Sequence, residues 1–184
     1  MDSLEALYEK CASCQNCELY KTRTNTVFGY GNERADLMFV GEAPGEQEDL
    51  KGVPFIGRAG QLFDKFLAEI DIKREDVYIA NILKCRPPKN RDPLPKEEDA
   101  CIDYLYEQIR IIDPKIIVCL GRISAMRLIK PDFKITKEHG EWFDKGKYKM
   151  CAVYHPALLL RDPRKKDEMT CDMAKIKKVL DELR

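Results

Sequence analysis

Three cysteines at two-residue gaps, Cys11, Cys14 and Cys17 in "CASCQNC", are the first residues in this chain whose type and spacing could do chemistry. The chain has 184 residues and eight cysteines. In a reducing compartment closely spaced thiols are better metal ligands than disulfide partners. Cys85 and Cys101 follow far downstream. A pair from the N-terminal group joined by these two makes four thiolates, which suits either a structural zinc or a 4Fe–4S cluster. The ferredoxin run C-x2-C-x2-C-x3-C-P is broken, because Lys21 stands in the place of its fourth cysteine. Ligands so scattered argue for a staple that ties the N-terminal arm to the "KCRPPKN" loop, and against a dedicated electron carrier. Cys119 in "KIIVCLG" and Cys151 in "YKMCAVY" read as small buried hydrophobes, and Cys171 takes the same reading.

Other chemistry-bearing residues stand at the ends of apolar runs. Asn81 closes "DVYIAN", where a side-chain amide could read a base edge. His155 follows "KMCAVY" and is one of two histidines; the other, His139 in "KEHGEW", reads as a loop residue without a role. In "GEAPGEQED", Gly41, Pro44 and Gly45 form a tight turn whose backbone N–H groups can point at a ligand. No Lys-Ser/Thr follows, so this is not a phosphate loop, nor does it fit the dinucleotide pattern G-x-G-x-x-G. Two stretches, "KCRPPKNR" and "RDPRKK", could supply a local basic face or be solvated loops.

The elements that must position these residues alternate along the chain. Segments 35–41, 76–81, 115–121 and 149–155 are nearly continuous apolar runs, as expected of parallel strands buried on both faces. Helical spacing links Leu62, Phe63, Phe66, Leu67 and Ile70, and again Cys101, Tyr104, Leu105, Gln108, Ile109 and Ile112; "GRISAMRLI" and "CDMAKIKKVLDELR" complete the set. The alternation predicts an α/β fold: a three-layer α/β/α sandwich around a four-stranded, mostly parallel sheet. Ligands of such sheets bind at the carboxyl ends of the strands. That rule points to the loops after Gly41, Asn81 and Gly121, and to His155.

Composition sets the remaining bounds. The length suits a single domain over 1–184, with an N-terminal arm of about 25 residues. Lys+Arg and Asp+Glu are each 32, a balance that disfavours a non-specific nucleic-acid coat. The charged fraction of 35% fits a heat-stable surface of ion-pair networks. No apolar run approaches the roughly 20 residues needed to span a bilayer. "MDSLEALYEK" is acidic and amphipathic, unlike a signal or transit peptide, and its Asp2 and Glu5 are spaced as in a helix cap. A cytoplasmic protein is expected.

Taken together, "VFGYGNERADLMFVGEAPGEQED", "GVPFIGRAGQL", "YIANILKCRPPKNRDP" and "HPALLLR" resemble the family 4, iron–sulfur uracil-DNA glycosylases, over nearly the whole chain. The resemblance implies an α/β/α sandwich that removes uracil from DNA and carries one 4Fe–4S cluster. The family pattern C-x2-C-x-L followed by R-T is met by Cys14, Cys17, Leu19, Arg23 and Thr24. The implied cluster ligands are therefore Cys14, Cys17, Cys85 and Cys101. Cys11 is then an extra thiol, with a register using Cys11 and Cys14 as the alternative.

The resemblance also implies roles around the base. Phe55 would stack on uracil, Asn81 would pair with its O4 and N3–H, and His155 would donate to O2 beside the Glu42–Ala43 backbone. In better-known uracil glycosylases that turn carries an Asp that positions water; here Ala43 occupies the place. Glu42 and Glu48, with Asn90 as a further polar contact, are the expected groups to orient water and balance sugar charge. Glu48 could instead guard the C5 position against thymine's methyl. Leu158, Leu159 and Leu160 in the loop "PALLLR" are wedge candidates, and Arg161 would hold phosphate. The expected partner is uracil-containing DNA, single- or double-stranded, met by a monomer, with a sliding-clamp contact an open question. A fold-sharing binding module that has lost catalysis, or an iron–sulfur redox protein, are the competing classes.

Overall fold

A computed structural model describes residues 3–184. The capping pair expected at Asp2 and Glu5 cannot be followed, since Asp2 lies outside the described residues. Ser3 takes the cap instead: its Oγ accepts from the Ala6 N–H at 3.1 Å and starts α1, Leu4–Ala12. That bond satisfies one of the four N–H groups that a helix start leaves without a partner.

Six strands form one sheet among the described residues, in the order β1-β3-β2-β4-β6-β5. The four predicted runs are its parallel centre: β2 (Leu37–Gly41), β3 (Tyr78–Asn81), β4 (Ile116–Leu120) and β6 (Tyr148–Val153). The prediction of four strands is corrected at both edges. β1 (Tyr30–Gly31) pairs antiparallel with β3, and β5 (Phe143–Lys145) pairs antiparallel with β6. Both additions are short and partly exposed, so neither carries the continuous apolar signature of the centre.

Strand residues alternate between two cores, as a period of two requires. Met38, Val40, Ala80, Ile117, Cys119 and Ala152 face one side, packed with α1, with α4 (Pro95–Ile112) and with α5 (Arg122–Leu128). Leu37, Phe39, Ile79, Val118, Cys151 and Val153 face the other. There they meet α3 (Arg58–Glu69), α7 (Pro156–Arg161) and α8 (Lys166–Leu183). Two short helices complete the set, α2 (Glu46–Lys51) and α6 (Ile135–Glu138). This is the expected α/β/α sandwich, and Cys119 and Cys151 are buried in it as read. "PALLLR", expected as a loop, is helical: Pro156 sits at its first turn, where its missing N–H costs nothing. Among the described residues no helix is long and apolar enough to cross a membrane.

The chain leaves β2 toward β3 on one side and returns past it to β4 on the other. The crevice outside these carboxyl ends is where the connections diverge, the position at which open α/β sheets bind ligands.

Candidate active site

An open cleft of about 550 Å³ occupies that crevice, enough for a nucleotide-sized ligand. Gly41, Asn81 and His155 bring the ends of β2, β3 and β6 to it. Asn81 is 2% exposed, and its Oδ1 is the one buried side-chain polar atom without a hydrogen-bond partner among the described residues. Leaving such an atom unpaired costs about 1–3 kcal/mol, so the fold holds it open for something. Gly41 makes the room: a Cβ there would stand 2.5 Å from Asn81 Oδ1 and 2.5 Å from Phe55 Cζ.

Phe55 lies on the cleft with φ of 52°, a left-handed conformation that a bulky side chain rarely adopts. Arg74 holds it there. Its guanidinium donates to Pro54 O at 2.8 Å and to Phe55 O, while its Nε pairs with Asp64 at 2.9 Å. Gly60 completes the clamp, because a Cβ at that position would overlap Phe55 O at 1.8 Å. The Phe55 ring then sits 5.6 Å from the His155 ring, tilted by 33°.

His155 caps α7, and its Nδ1 accepts from the Ala157 N–H at 3.1 Å. Protein encloses the ring apart from an edge on the cleft, and burial, aided by nearby Arg161, brings its pKa down to about 4. The imidazole is therefore neutral near pH 7. With Nδ1 committed as acceptor, its proton is on Nε2, which makes Nε2 a donor. Gly121, at φ of 95°, lets the two loops meet; its Cβ would lie 2.9 Å from His155 Cβ.

The carboxylates divide. Glu42 lines the cleft with its pKa pushed up to about 7, by burial first and then by Asp92. Glu48 also lines it, with Oε1 accepting from the Gly57 N–H at 3.2 Å, so part of its function is to hold the loop that carries Phe55. Asn90, at φ of 57°, accepts from Arg86 Nε at 2.8 Å. Ala43, Leu158 and Arg161 are on the cleft wall. Of the three leucines, Leu159 is fully buried in the core beneath α7 and Leu160 is exposed, so Leu159 is not free to act as a wedge as expected. In "KCRPPKNR" two of the cations are already engaged, while Lys89 is exposed. Lys84 is 1% exposed, and Arg91 makes a two-pronged pair with Glu97 at 2.8 and 2.9 Å.

Beside the cleft, Cys11, Cys14, Cys17, Cys85 and Cys101 line a single pocket. Among the described residues, no three His, Cys, Asp or Glu side chains are arranged to hold a lone metal ion. The sulfurs differ in their hydrogen bonds. Cys14 Sγ accepts from Asn16 N–H at 3.5 Å, Cys17 from the Leu19 backbone, Cys85 from Arg23 Nη1 at 3.4 Å, and Cys101 from Lys84 N–H at 3.3 Å. No such bond reaches Cys11 among the described residues, whereas burial raises the Cys11 and Cys101 thiols alike. N–H groups aimed at sulfur stabilise thiolate charge and tune iron–sulfur centres. The four sulfurs so served are the four implied by the resemblance.

Residues 28–183 match the model of the uracil DNA glycosylase superfamily. A type-4 uracil-DNA glycosylase of Archaeoglobus fulgidus is 47% identical over 184 residues, covering 96% of this chain and 92% of its own. That of Sulfurisphaera tokodaii is 45% identical, covering 97% and 86% respectively. That of Thermotoga maritima is 45% identical, covering 86% and 84%. The chain belongs to the type-4 uracil-DNA glycosylases. The topology rule pointed to Asn81 and His155, which both reach the cleft, while Arg74 and Lys84 read as solvated charges and Gln108 as a polar interruption on the apolar face of α4. His139 was missed too. It caps the end of α6, bonds Asp172 at 2.6 Å, lies 3.3 Å from Glu168, and so tethers α8 to the turn between α6 and β5.

Proposed function

We propose that the protein is a DNA repair glycosylase that hydrolyses the N-glycosidic bond of uracil in DNA and leaves an abasic site. The observation that carries this reading is the unpaired Asn81 carboxamide oxygen, buried within one cleft with Phe55 and a neutral His155. A base must leave the duplex stack to reach such a pocket, at a cost of a few kcal/mol. Asn81 Oδ1 then accepts from uracil N3–H and its NH2 donates to O4. Cytosine presents the reverse pattern, and a site built on such bonds rejects the mismatch by about 10⁴-fold.

Phe55 stacks on the extruded ring. As the C1′–N1 bond breaks, its electron pair moves onto uracil and gathers at O2, where His155 Nε2–H donates. One preorganised donor of this kind is worth about 3–4 kcal/mol. Water attacks C1′ from the opposite side, oriented by Glu42, which takes its proton. Glu48 and Asn90 balance the sugar's positive charge, and the Ala43 backbone adds to the anion site. Leu158 and Leu160 fill the emptied stack, and Arg161 holds a phosphate.

Cys14, Cys17, Cys85 and Cys101 would hold a 4Fe–4S cluster, supported by the four N–H···S bonds. When bound, the cluster fastens the N-terminal arm to the segment after β3. The protein works as a single cytoplasmic domain and monomer on single- or double-stranded uracil-containing DNA. Abasic-site formation on a uracil oligonucleotide, measured on the sample that gives the visible absorption spectrum, tests both parts. Absence of cleavage overturns the activity, and a colourless, zinc-loaded, active protein overturns only the cluster.

A further inference from the structure

Lys84 is a buried cation without a carboxylate. Its side chain is fully enclosed, and no carboxylate pairs with it among the described residues. Its Nζ donates to Gln108 Oε1 at 2.6 Å and to the main-chain oxygen of Asn81 at 3.0 Å. The same residue's backbone N–H donates to Cys101 Sγ at 3.3 Å. Gln108 cannot turn away, since its Nε2 is used by Phe28 O at 2.8 Å and Tyr78 Oη at 3.2 Å. The ammonium is thus aimed at the end of β3 by a fixed acceptor.

A buried charge persists only where something of opposite sign balances it. Lys84 itself lines the pocket formed by Cys11, Cys14, Cys17, Cys85 and Cys101, and its ammonium lies 5.8 Å from the centre of the Phe28 ring. The span Asn81–Cys85 therefore joins the base-reading amide and a cysteine ligand through one side chain.

We propose that Lys84 is a positioning residue linking the loaded cysteine pocket to base recognition: its ammonium balances the cysteine thiolates and, through the Asn81 carbonyl, fixes the strand end from which Asn81 reads uracil. This rests on the functional reading above. It makes the cysteine pocket part of substrate recognition, beyond its use as a staple for the rim.

The test uses purified, iron-loaded protein with Lys84→Met, which keeps the apolar stem and removes the charge. Two readouts are expected to move. The reduction potential of the cluster shifts to a more negative value, because a positive charge beside it is gone. KM for a uracil oligonucleotide rises about tenfold with kcat changed far less, as for loss of a charged hydrogen bond acting on binding. A purely structural lysine would lower thermal stability and leave both unmoved. Should Lys84→Met fail to fold, Gln108→Leu keeps the charge and loosens its aim. It is expected to raise KM with the potential unchanged, and an unchanged KM overturns the link. Wild-type protein without uracil excision would overturn the functional reading instead, and the potential shift would still decide whether Lys84 is the counter-charge. Active wild type matched by Lys84→Met in KM and potential overturns this inference alone.

Discussion

Replacing Glu42 by Gln, with both proteins followed across pH, isolates the group assigned to the attacking water. Burial and the neighbouring Asp92 raise the Glu42 carboxyl from 4.5 to about 7, a displacement that corresponds to about 3 kcal/mol against ionisation. Solvent in the cleft trims the figure, so about 2 kcal/mol is the working value. Two consequences follow. Only the carboxylate can take a proton from water, so single-turnover excision should rise with an apparent pKa near 7 and be about tenfold below its plateau one pH unit lower. Stability runs the other way. A folded-state pKa above the unfolded value means the folded chain holds this proton more tightly, so the contribution is complete below about 4.5 and is lost as pH rises through about 7. Glu42→Gln should therefore flatten the pH–rate profile at a level about 10²-fold below the wild-type plateau. In urea melts it should match wild type at pH 4.5 and exceed it by about 2 kcal/mol at pH 8.5. A wild-type profile without a limb between pH 6 and 8, or a Glu42→Gln enzyme close to the wild-type plateau, would refute Glu42 as the base.

Gly41→Ala places a methyl 2.5 Å from both Asn81 Oδ1 and Phe55 Cζ, so uracil excision should fall by about 10²-fold in a protein that still unfolds cooperatively; near-normal kcat/KM would show that the pocket is not where the base sits. Leu159→Ala should cost about 2–5 kcal/mol in chemical denaturation, whereas Leu160→Ala should stay within about 0.5 kcal/mol. Cys14→Ser should lose most of its iron and visible absorption while Cys11→Ser keeps both; the opposite result would move the ligand set to Cys11. His155, its pKa lowered to about 4 from 6.5, should give full stability above pH 6.5 and a progressive loss as pH falls toward 4, and that acid-side loss should be absent in His155→Gln on urea titration.

The central strands were legible because burial on both faces leaves continuous apolar runs, and nothing else in the chain looks like "KIIVCL". The edge strands were not. Tyr30–Gly31 owes its pairing to β3 and Phe143–Lys145 to β6, and neither has an apolar face that local sequence could announce. α8 begins five residues before its predicted start because Met169, fully buried, anchors a turn whose other residues are charged or polar. "PALLLR" reads as a loop because six residues opened by Pro fall below the length at which periodicity can be seen.

The site divides along the same line. Asn81 and His155 were legible because a polar residue ending an apolar strand is visible in one dimension, and the strand-end rule supplies the third. Phe55 came from family resemblance alone: what sets it on the cleft is a left-handed backbone clamped by Arg74, nineteen residues away and reading as an ordinary charge. Lys84 is the sharper case. Within "KCRPPKNR" it reads as part of a basic face or a solvated loop, and only the helix carrying Gln108, packed against the sheet, turns it inward. A lysine's place, inside or out, is decided by whether distant acceptors wait for it. That is why Asn81 and His155 were readable at strand ends, while the contacts of Arg74 and Lys84 required the folded chain.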